Sequence, residues 1–178
     1  TELLHELGED AYAVALAQHR AALRDAFGRH DGVEVEAQGD AFFFVFSSAR
    51  DAVEGTEHGL DALRSGPISV RVGIHTGTAL VTDEGYVGAD IHRASRIANA
   101  GHGGQVLLSA TTAALVSADP FELVDLGDHR LKDLPRSERI FQLGSGSFPP
   151  LKSISPSNFP IPITPSLGRR EEVDSLRP

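Results

Sequence analysis

Two stretches of this sequence carry polar side chains at positions where they could do chemistry. The first, Val33–Phe46, reads VEVEAQGDAFFFVF, two apolar runs separated by the pair Gly39-Asp40. The alternation of the first run and the continuous second run predict two strands, the second buried on both faces. The pair then forms a tight hairpin tip, with one carboxylate at the end of a rigid strand pair. Such a pair is equally typical of an ordinary turn, in which the aspartate only caps the turn.

The second stretch is Gly85–Ala100, GYVGADIHRASRIANA. Helical spacing predicts an apolar face and a polar face, because side chains at i and i+4 lie above one another. The apolar face holds Ile91, Ala94 and Ala98, and the polar face holds His92, Arg96 and Asn99. A polar face of this kind is either a solvated surface or an anion clamp, since the planar donors of arginine match phosphate oxygens.

The elements that would position these residues alternate along the chain. In the first strand, Val33, Val35 and Ala37 are predicted to face one way, and Glu34, Glu36 and Gln38 the other. Periodicity and capping signals predict further helices at Leu3–Phe27, Ala49–Leu63, Gly88–Ala100 and Thr111–Val116, and strands within Ile68–Val81, Val106–Leu108 and Phe121–Leu143. This order predicts an α/β (α+β) fold, a ferredoxin-like sandwich with one antiparallel-rich sheet.

Composition narrows the class of protein. The chain has 178 residues, 40% of them hydrophobic, with a formal net charge of −9 and no cysteine or methionine. The acidic balance argues against nucleic-acid binding, which needs a basic patch, but not against nucleotide binding. No apolar run reaches membrane-spanning length, and without cysteine there is no disulfide framework. We therefore expect a cytoplasmic protein with no membrane partner.

The chain divides by composition into three parts. Residues 1–143 have the length and patterning of one domain. Residues 144–166, which contain GSGSFPP and SISPSNFPIPITP, are rich in Ser, Pro and Gly and are predicted to be a linker. Residues 167–178 begin a polar helical pattern, either the start of a downstream domain or a disordered tail.

Five segments of the first part, in this order and at this spacing, carry a family resemblance. They are EAQGDAFFFVF, RVGIHTGTAL, YVGADIHRASRIA, GGQVLLS and LGDHRLKDLPRSERIFQL. Together they resemble the catalytic domain of a bacterial class III nucleotidyl (adenylate/guanylate) cyclase, over residues 1–143. The similarity is greatest to cyclase domains fused ahead of a signalling ATPase, so the resemblance implies that LGRREE begins such an ATPase domain.

The resemblance implies an activity and its residues. Class III cyclases convert ATP or GTP to a 3′,5′-cyclic nucleotide and pyrophosphate with two Mg²⁺ or Mn²⁺ ions, whose ligands are two aspartates. By motif position, Asp40 is the second metal ligand and Arg96 stabilises the transition state. His92 stands where most members have asparagine, a substitution frequent in this bacterial subgroup. Lys132 in HRLKDL matches the lysine that binds the triphosphate, although an exposed hairpin lysine is about equally expected there.

Two positions of the family motif read the base. Glu36 lies four residues before Asp40, where guanylyl cyclases carry Glu and adenylyl cyclases carry Lys. Gly85 occupies the second position, where adenylyl cyclases usually carry Asp, and it has no side chain to read the base. Glu36 therefore favours GTP, while a single reader predicts weak discrimination.

The family's first strand, which carries the first metal Asp, has no counterpart in this sequence. The resemblance thus implies that the sheet lacks a central strand and that the chain alone is inactive or nearly so. It also implies a homodimer with composite sites, the metal aspartates coming from one protomer and the residues equivalent to His92, Arg96 and Lys132 from the other.

Two other functions fit parts of the same sequence. A degenerate cyclase-like module for dimerisation or regulation is the alternative, favoured by the missing strand and by the base-reading pair. A diguanylate cyclase is disfavoured because QGDAF replaces that family's Gly-Gly-Asp/Glu-Glu-Phe hairpin. The sequence also has no phosphate-binding GxxxxGK[ST] loop, HExxH or GxSxG motif. His75, before the predicted turn Thr76-Gly77, is expected to be packed or bonded to the turn rather than to be a ligand.

Overall fold

The computed structural model describes residues 2–38, 41–83 and 85–154, with the backbone alone for residues 2–4 and 36–38. Its helices are α1 (Glu2–Leu7), α2 (Glu9–Gly28), α3 (Ala49–Leu63), α4 (Ala89–Ala100) and α5 (Ala110–Leu115). Its strands are β1 (Val33–Gln38), β2 (Ala41–Val45), β3 (Val72–Ile74), β4 (Leu80–Thr82), β5 (Gly85–Val87), β6 (Val106–Ser109), β7 (Leu123–His129) and β8 (Glu138–Leu143).

The first predicted helix is two helices, so the prediction of one element over Leu3–Phe27 is wrong. Gly8 separates α1 from α2 with a φ of 79°. That region of φ is open to glycine at little cost, and a continuous helix does not pass through it. The carbonyl of Gly8 accepts the first hydrogen bond of α2, from the backbone N–H of Tyr12 at 3.0 Å.

β1 and β2 pair antiparallel, as predicted, but the uninterrupted alternation predicted for β1 and the burial on both faces predicted for β2 are wrong. A register irregularity between Glu34 and Glu36 breaks the alternation of β1. Val33 is 57% exposed, whereas Glu34 accepts two hydrogen bonds from Arg24 of α2, at 2.6 and 2.9 Å. β2 is only partly buried, because the hairpin forms its own two-stranded sheet in the described part of the chain. The predicted tip, Gly39-Asp40, lies outside the described residues.

The largest sheet has four strands in the order β3-β6-β8-β7. β3 and β6 are parallel, and the other pairs are antiparallel. All four residues of β6 are buried, and their side chains alternate between two core clusters because successive residues face opposite sides of a strand. Leu108 packs with Val53 of α3 in one cluster, and Leu107 packs with Ile97 of α4 in the other.

The described strands form three sheets rather than the one predicted. The segment after Thr76-Gly77 does form a strand, β4, but β4 pairs with β5 instead of with β3. Gly85–Val87, which precedes the predicted helix, is thereby a strand that the sequence analysis missed. The resulting hairpin exposes apolar side chains: Leu80 is 66% exposed and Val81 is 67% exposed.

Residues 144–154, the beginning of the predicted linker, have no helix or strand but contact the domain. The backbone N–H of Lys152 donates to the carbonyl of Ala100 at 2.9 Å, and the backbone N–H of Ile154 donates to the carbonyl of Arg130 at 2.8 Å. Leu151 packs against the core cluster beside α4. Among the described residues, no helix is both long enough and apolar enough to span a membrane.

Candidate functional site

Helix α4 carries His92 and Arg96, and its distance from the sheet depends on Gly73 in β3. A Cβ atom at Gly73 would lie 2.4 Å from the backbone nitrogen of Ala98 and 2.6 Å from the carbonyl oxygen of Ala94. Only a residue without a Cβ therefore allows this strand to touch the backbone of the helix. Ile97 of the same helix is fully buried and packs against Leu107 of β6.

The first turn of α4 is fixed by the carboxylate of Asp90. It accepts hydrogen bonds from the backbone N–H of Thr78 at 2.8 Å and from Arg93 Nη1 at 2.9 Å, and it lies 3.3 Å from His75 Nε2. The Thr78 hydrogen bond is the largest cause that lowers the pKa of Asp90 below its ordinary value. Arg93 continues the network to Glu138 of β8, at 3.1 Å. These contacts tie the helix to the segment after β3 and to β8 of the same four-stranded sheet.

His75 lies between Ser109 and Asp90, an arrangement that resembles a serine nucleophile with its histidine base and an aspartate. Its Nδ1 lies 2.8 Å from Ser109 Oγ, so serine, histidine and Asp90 follow one another in space. Ser109, however, is only 1% exposed, and its Oγ accepts the hydrogen bond from Thr112 N that caps α5. The hydroxyl is therefore a buried structural group, and His75 is packed and hydrogen bonded, as the sequence analysis expects.

A cationic cleft of about 260 Å³ opens between the C-terminal half of α4 and the β7–β8 connection. Its lining residues are Arg96, Asn99, Ala100, Leu131, Lys132 and Lys152. Arg96 and Lys132, predicted separately from the sequence, are thus brought together. Lys152 joins them because residues 144–154 fold back onto α4, so both lysines of this acidic sequence line one cleft.

Arg96 is held in this cleft by an ion pair with Asp133. Its Nη2 lies 2.7 Å from Asp133 Oδ2, and the two side chains are 33% and 56% exposed. Asp133 has a φ of 61°, in the left-handed region that few non-glycine residues adopt. The sequence analysis missed Asp133 and Lys152. Two sequence features could have indicated them. Asp133 directly follows Lys132, and Lys152 is one of only two lysines in the sequence.

The other predicted site residues are not brought to this cleft by the described part of the structure. His92 is exposed one helical turn before Arg96, and Gly85 begins β5 with a φ of 117°. Glu36 is described only by its backbone, opposite Phe43 in the hairpin. Asp40 lies outside the described residues.

The comparisons with known proteins agree on one family. The family model described as "Adenylate and Guanylate cyclase catalytic domain" matches residues 1–144. The relative named "Uncharacterized protein Rv0891c", from Mycobacterium tuberculosis, is 38% identical over 185 residues, which cover 96% of this chain and 64% of that protein. This chain thus spans a little less than two thirds of that relative's length.

Solved structures extend the agreement to the fold. An adenylate cyclase from Trypanosoma brucei in its monomeric state matches with a TM-score of 0.72 at 22% identity, covering 80% of this chain and 85% of that one. The guanylate cyclase domain of RhGC from Catenaria anguillulae, in complex with GTP, matches with a TM-score of 0.65 at 20% identity, covering 75% and 83%. The predicted fold class, a mixed α+β fold of the cyclase type that is rich in antiparallel strands, is confirmed.

Proposed function

The chain belongs to the adenylate and guanylate cyclase catalytic domain family. We propose that it is part of the catalytic domain of a nucleotidyl cyclase. This enzyme would convert ATP or GTP to a 3′,5′-cyclic nucleotide and pyrophosphate in signalling. The observation that carries the proposal is the cleft in which Arg96, Lys132 and Lys152 converge. Three cations in one cleft of an acidic protein suit a triphosphate.

Arg96 has the central role in this proposal. As the 3′-hydroxyl attacks the α-phosphorus, negative charge grows on the phosphate oxygens, and a preorganised guanidinium stabilises that charge. A donor placed in advance is worth about 3–4 kcal/mol of transition-state energy. Asp133 preorganises the guanidinium and competes with the substrate for it, because both partners of the 2.7 Å ion pair are accessible. Lys132 and Lys152 would hold the remaining phosphates, and His92 would support Arg96 from the preceding turn.

The metal ions that this family uses would be Mg²⁺ or Mn²⁺, which prefer oxygen ligands. Bound metal would neutralise phosphate charge and activate the attacking hydroxyl. We propose Asp40 as one ligand. The described cleft does not supply a pair of carboxylates, because Asp133 is engaged by Arg96.

We propose that a further strand, carrying the second metal aspartate, completes the sheet in the natural polypeptide. In the described residues, β2 and β3 each have one edge that pairs with no strand. Phe46, which follows β2, and Val72, the first residue of β3, both pack on the core cluster beneath α3. An unpaired strand edge presents free N–H and C=O groups that can bind another strand. Residues 1–178 alone are then expected to make little or no product.

We also propose a homodimer with composite active sites. The β4–β5 hairpin exposes Leu80, Val81 and Val87, the last 46% exposed, which is the surface expected where subunits meet. The metal ligand Asp40 would come from one protomer, and Arg96 with Lys132 from its partner. The resemblance of Glu36 to the guanine reader favours GTP, whereas Gly85 contributes no side chain, so we expect activity on both nucleotides.

The alternative function is a cyclase-like module that binds nucleotide or dimerises to regulate a downstream ATPase, without catalysis. The absence of a carboxylate pair from the described cleft favours it. This alternative predicts nucleotide binding and dimerisation with no cyclic product.

The experiment that tests the proposal measures cyclic nucleotide formed from ATP and from GTP with Mn²⁺. The full natural polypeptide is compared with residues 1–178 and with two variants of the full polypeptide, Arg96→Ala and Arg136→Ala. Arg136 is an exposed arginine of the β7–β8 connection that does not line the cleft. We expect product that is lost in Arg96→Ala and retained in Arg136→Ala. Dimers that bind nucleotide but form no product support the alternative instead.

A further inference from the structure

A second cluster of metal-ligating side chains lies where the end of α2 meets α3. His30 is in the turn after α2, and Asp51, Glu54 and His58 share one face of α3, at spacings of three and four residues. α3 packs on the sheet face opposite α4, since Leu108 and Leu107 of β6 point to opposite sides. The cluster is thus separated by the sheet from the cationic cleft.

The cluster is compact. His30 Nε2 lies 2.7 Å from His58 Nδ1, and His30 Nδ1 lies 3.6 Å from Glu54 Oε2. Ligand atoms of His30, Asp51 and Glu54 all lie within 4.8 Å of one another. Ligands of a tetrahedral zinc ion are about 3.3 Å apart, given bonds of roughly 2.0–2.1 Å. Because His30 faces Glu54 with Nδ1 and His58 with Nε2, an ion held together with the two carboxylates would bind Nδ1.

The backbone around the cluster is fixed before any ion binds. The His30 side chain is 13% exposed, and its Cβ would lie 3.4 Å from a Cβ built at Gly55, so α3 passes directly beneath it. Ser48 caps the helix by accepting from the N–H of Asp51 at 3.3 Å. Ligands mounted on such elements lose little freedom when they bind an ion.

Contacts within the protein leave several potential metal-ligating atoms of this cluster unused. Two imidazoles at 2.7 Å can share only one proton between the facing nitrogens. The Asp51 carboxylate makes no hydrogen bond or ion pair to another residue in the described part of the chain. One oxygen of Glu54 accepts from Arg50 Nε at 2.8 Å, while the other faces His30. This arginine hydrogen bond is the largest cause that lowers the pKa of Glu54.

We propose that His30 Nδ1, Glu54 and Asp51 bind one transition-metal ion of the Zn²⁺ type, joining the end of α2 to α3, while His58 orients the His30 ring through Nε2. Zn²⁺ accepts an imidazole nitrogen together with carboxylate oxygens, whereas Mg²⁺ prefers oxygen ligands alone. The ion would neutralise the two carboxylates, and the other ring nitrogen of His30 would donate its N–H to His58. This site is independent of the cyclase reaction, so it stands or falls separately from the proposed function.

The test titrates ZnCl₂ into residues 1–178 by calorimetry, with excess Mg²⁺ present to occupy all-oxygen sites. The variants are His30→Gln and His58→Gln, with His5→Gln as the matched control, since His5 is exposed on α1 outside the cluster. We expect one ion per chain, bound at least about tenfold more weakly in either variant, because His30→Gln loses a ligand and His58→Gln loses the partner that orients it. The control variant should bind as the wild type does.

A second measurement needs no variant and so does not depend on variants folding. In the wild-type protein with ¹⁵N-labelled histidine, Zn²⁺ should shift the ring nitrogens of two of the eight histidines, namely His30 and His58. Absence of binding, binding that both variants retain at full strength, or shifts at other histidines would each overturn the proposal.

Discussion

Gly73→Ala tests how closely α4 must approach the sheet to place its functional side chains. The new Cβ would meet two atoms of the helix backbone, at 2.4 and 2.6 Å. An ordinary contact needs 3.4 Å or more, so the helix must move away by about 1 Å to remove the overlap. Neither Ala98 N nor Ala94 O belongs to a flexible side chain, so no rotamer change can relieve the clash.

The expected cost follows from that geometry. Overpacking a filled core typically destabilises a protein by about 1–3 kcal/mol. We expect about 3 kcal/mol here because backbone must move on both sides, which lowers the melting temperature by roughly 6–12 °C for a domain of this size. Arg96 travels with the helix, and a misplacement of about 1 Å can cost on the order of 100-fold in rate.

The assay is urea unfolding followed by circular dichroism, with Gly28→Ala as the matched control. Gly28 is the last residue of α2, and a Cβ there has nothing within 4 Å. The control should therefore unfold at the wild-type midpoint or slightly above it, since alanine favours helix. If Gly73→Ala unfolds together with the control, the close contact between β3 and α4 is refuted. The inference that Gly73 positions Arg96 would then fail as well.

Three further predictions concern the cleft and its supports. Lys152→Ala should weaken nucleoside triphosphate binding to the full polypeptide by about tenfold, while Arg136→Ala leaves it unchanged; equal affinities in a fluorescence titration would remove Lys152 from the site. Asp90→Asn should cost about 1–2 kcal/mol above pH 5. Because folding lowers the pKa of Asp90, this stabilisation is complete above the ordinary value of 3.8 and is lost as the pH falls through the lower folded value. Thermal melts should show the gap between wild type and variant narrowing in acid, and a constant gap would contradict the assignment. Mixing Asp40→Ala and Arg96→Ala forms of the full polypeptide should restore part of the cyclase activity, because one composite site is rebuilt; exchangeable subunits that recover nothing would exclude shared sites.

Local patterns were sufficient where neighbouring residues decide the structure. The predicted helix from Gly88 is found as Ala89–Ala100, because its apolar spacing and the preceding glycine act within a few residues. The hairpin of β7 and β8 falls within the predicted Phe121–Leu143. The family motifs led to Arg96 and Lys132, and the structure places both in one cleft.

Long-range packing decided what those patterns missed. The apolar residues of β4 predict a strand but not its partner. The path of the chain after Gly77 pairs β4 with β5. Glu34 faces α2, where Arg24 donates to its carboxylate in an exposed ion pair, a contact across ten residues that strand alternation does not predict. The pairing of Arg96 with Asp133 likewise depends on where the β7–β8 connection lies against α4.

The sequence by itself determined the family, the alternation of helices and strands, and the types of residue available for phosphate chemistry. These properties depend on motifs and periodicities that each lie within a short stretch of the sequence. Only the tertiary structure decided that Lys152, expected in a linker, turns back to α4, and that His30 meets three side chains of α3. The physical reason is that burial of residues such as Leu151 and Phe27 selects one path for the chain. That path fixes which distant charges and ligands become neighbours.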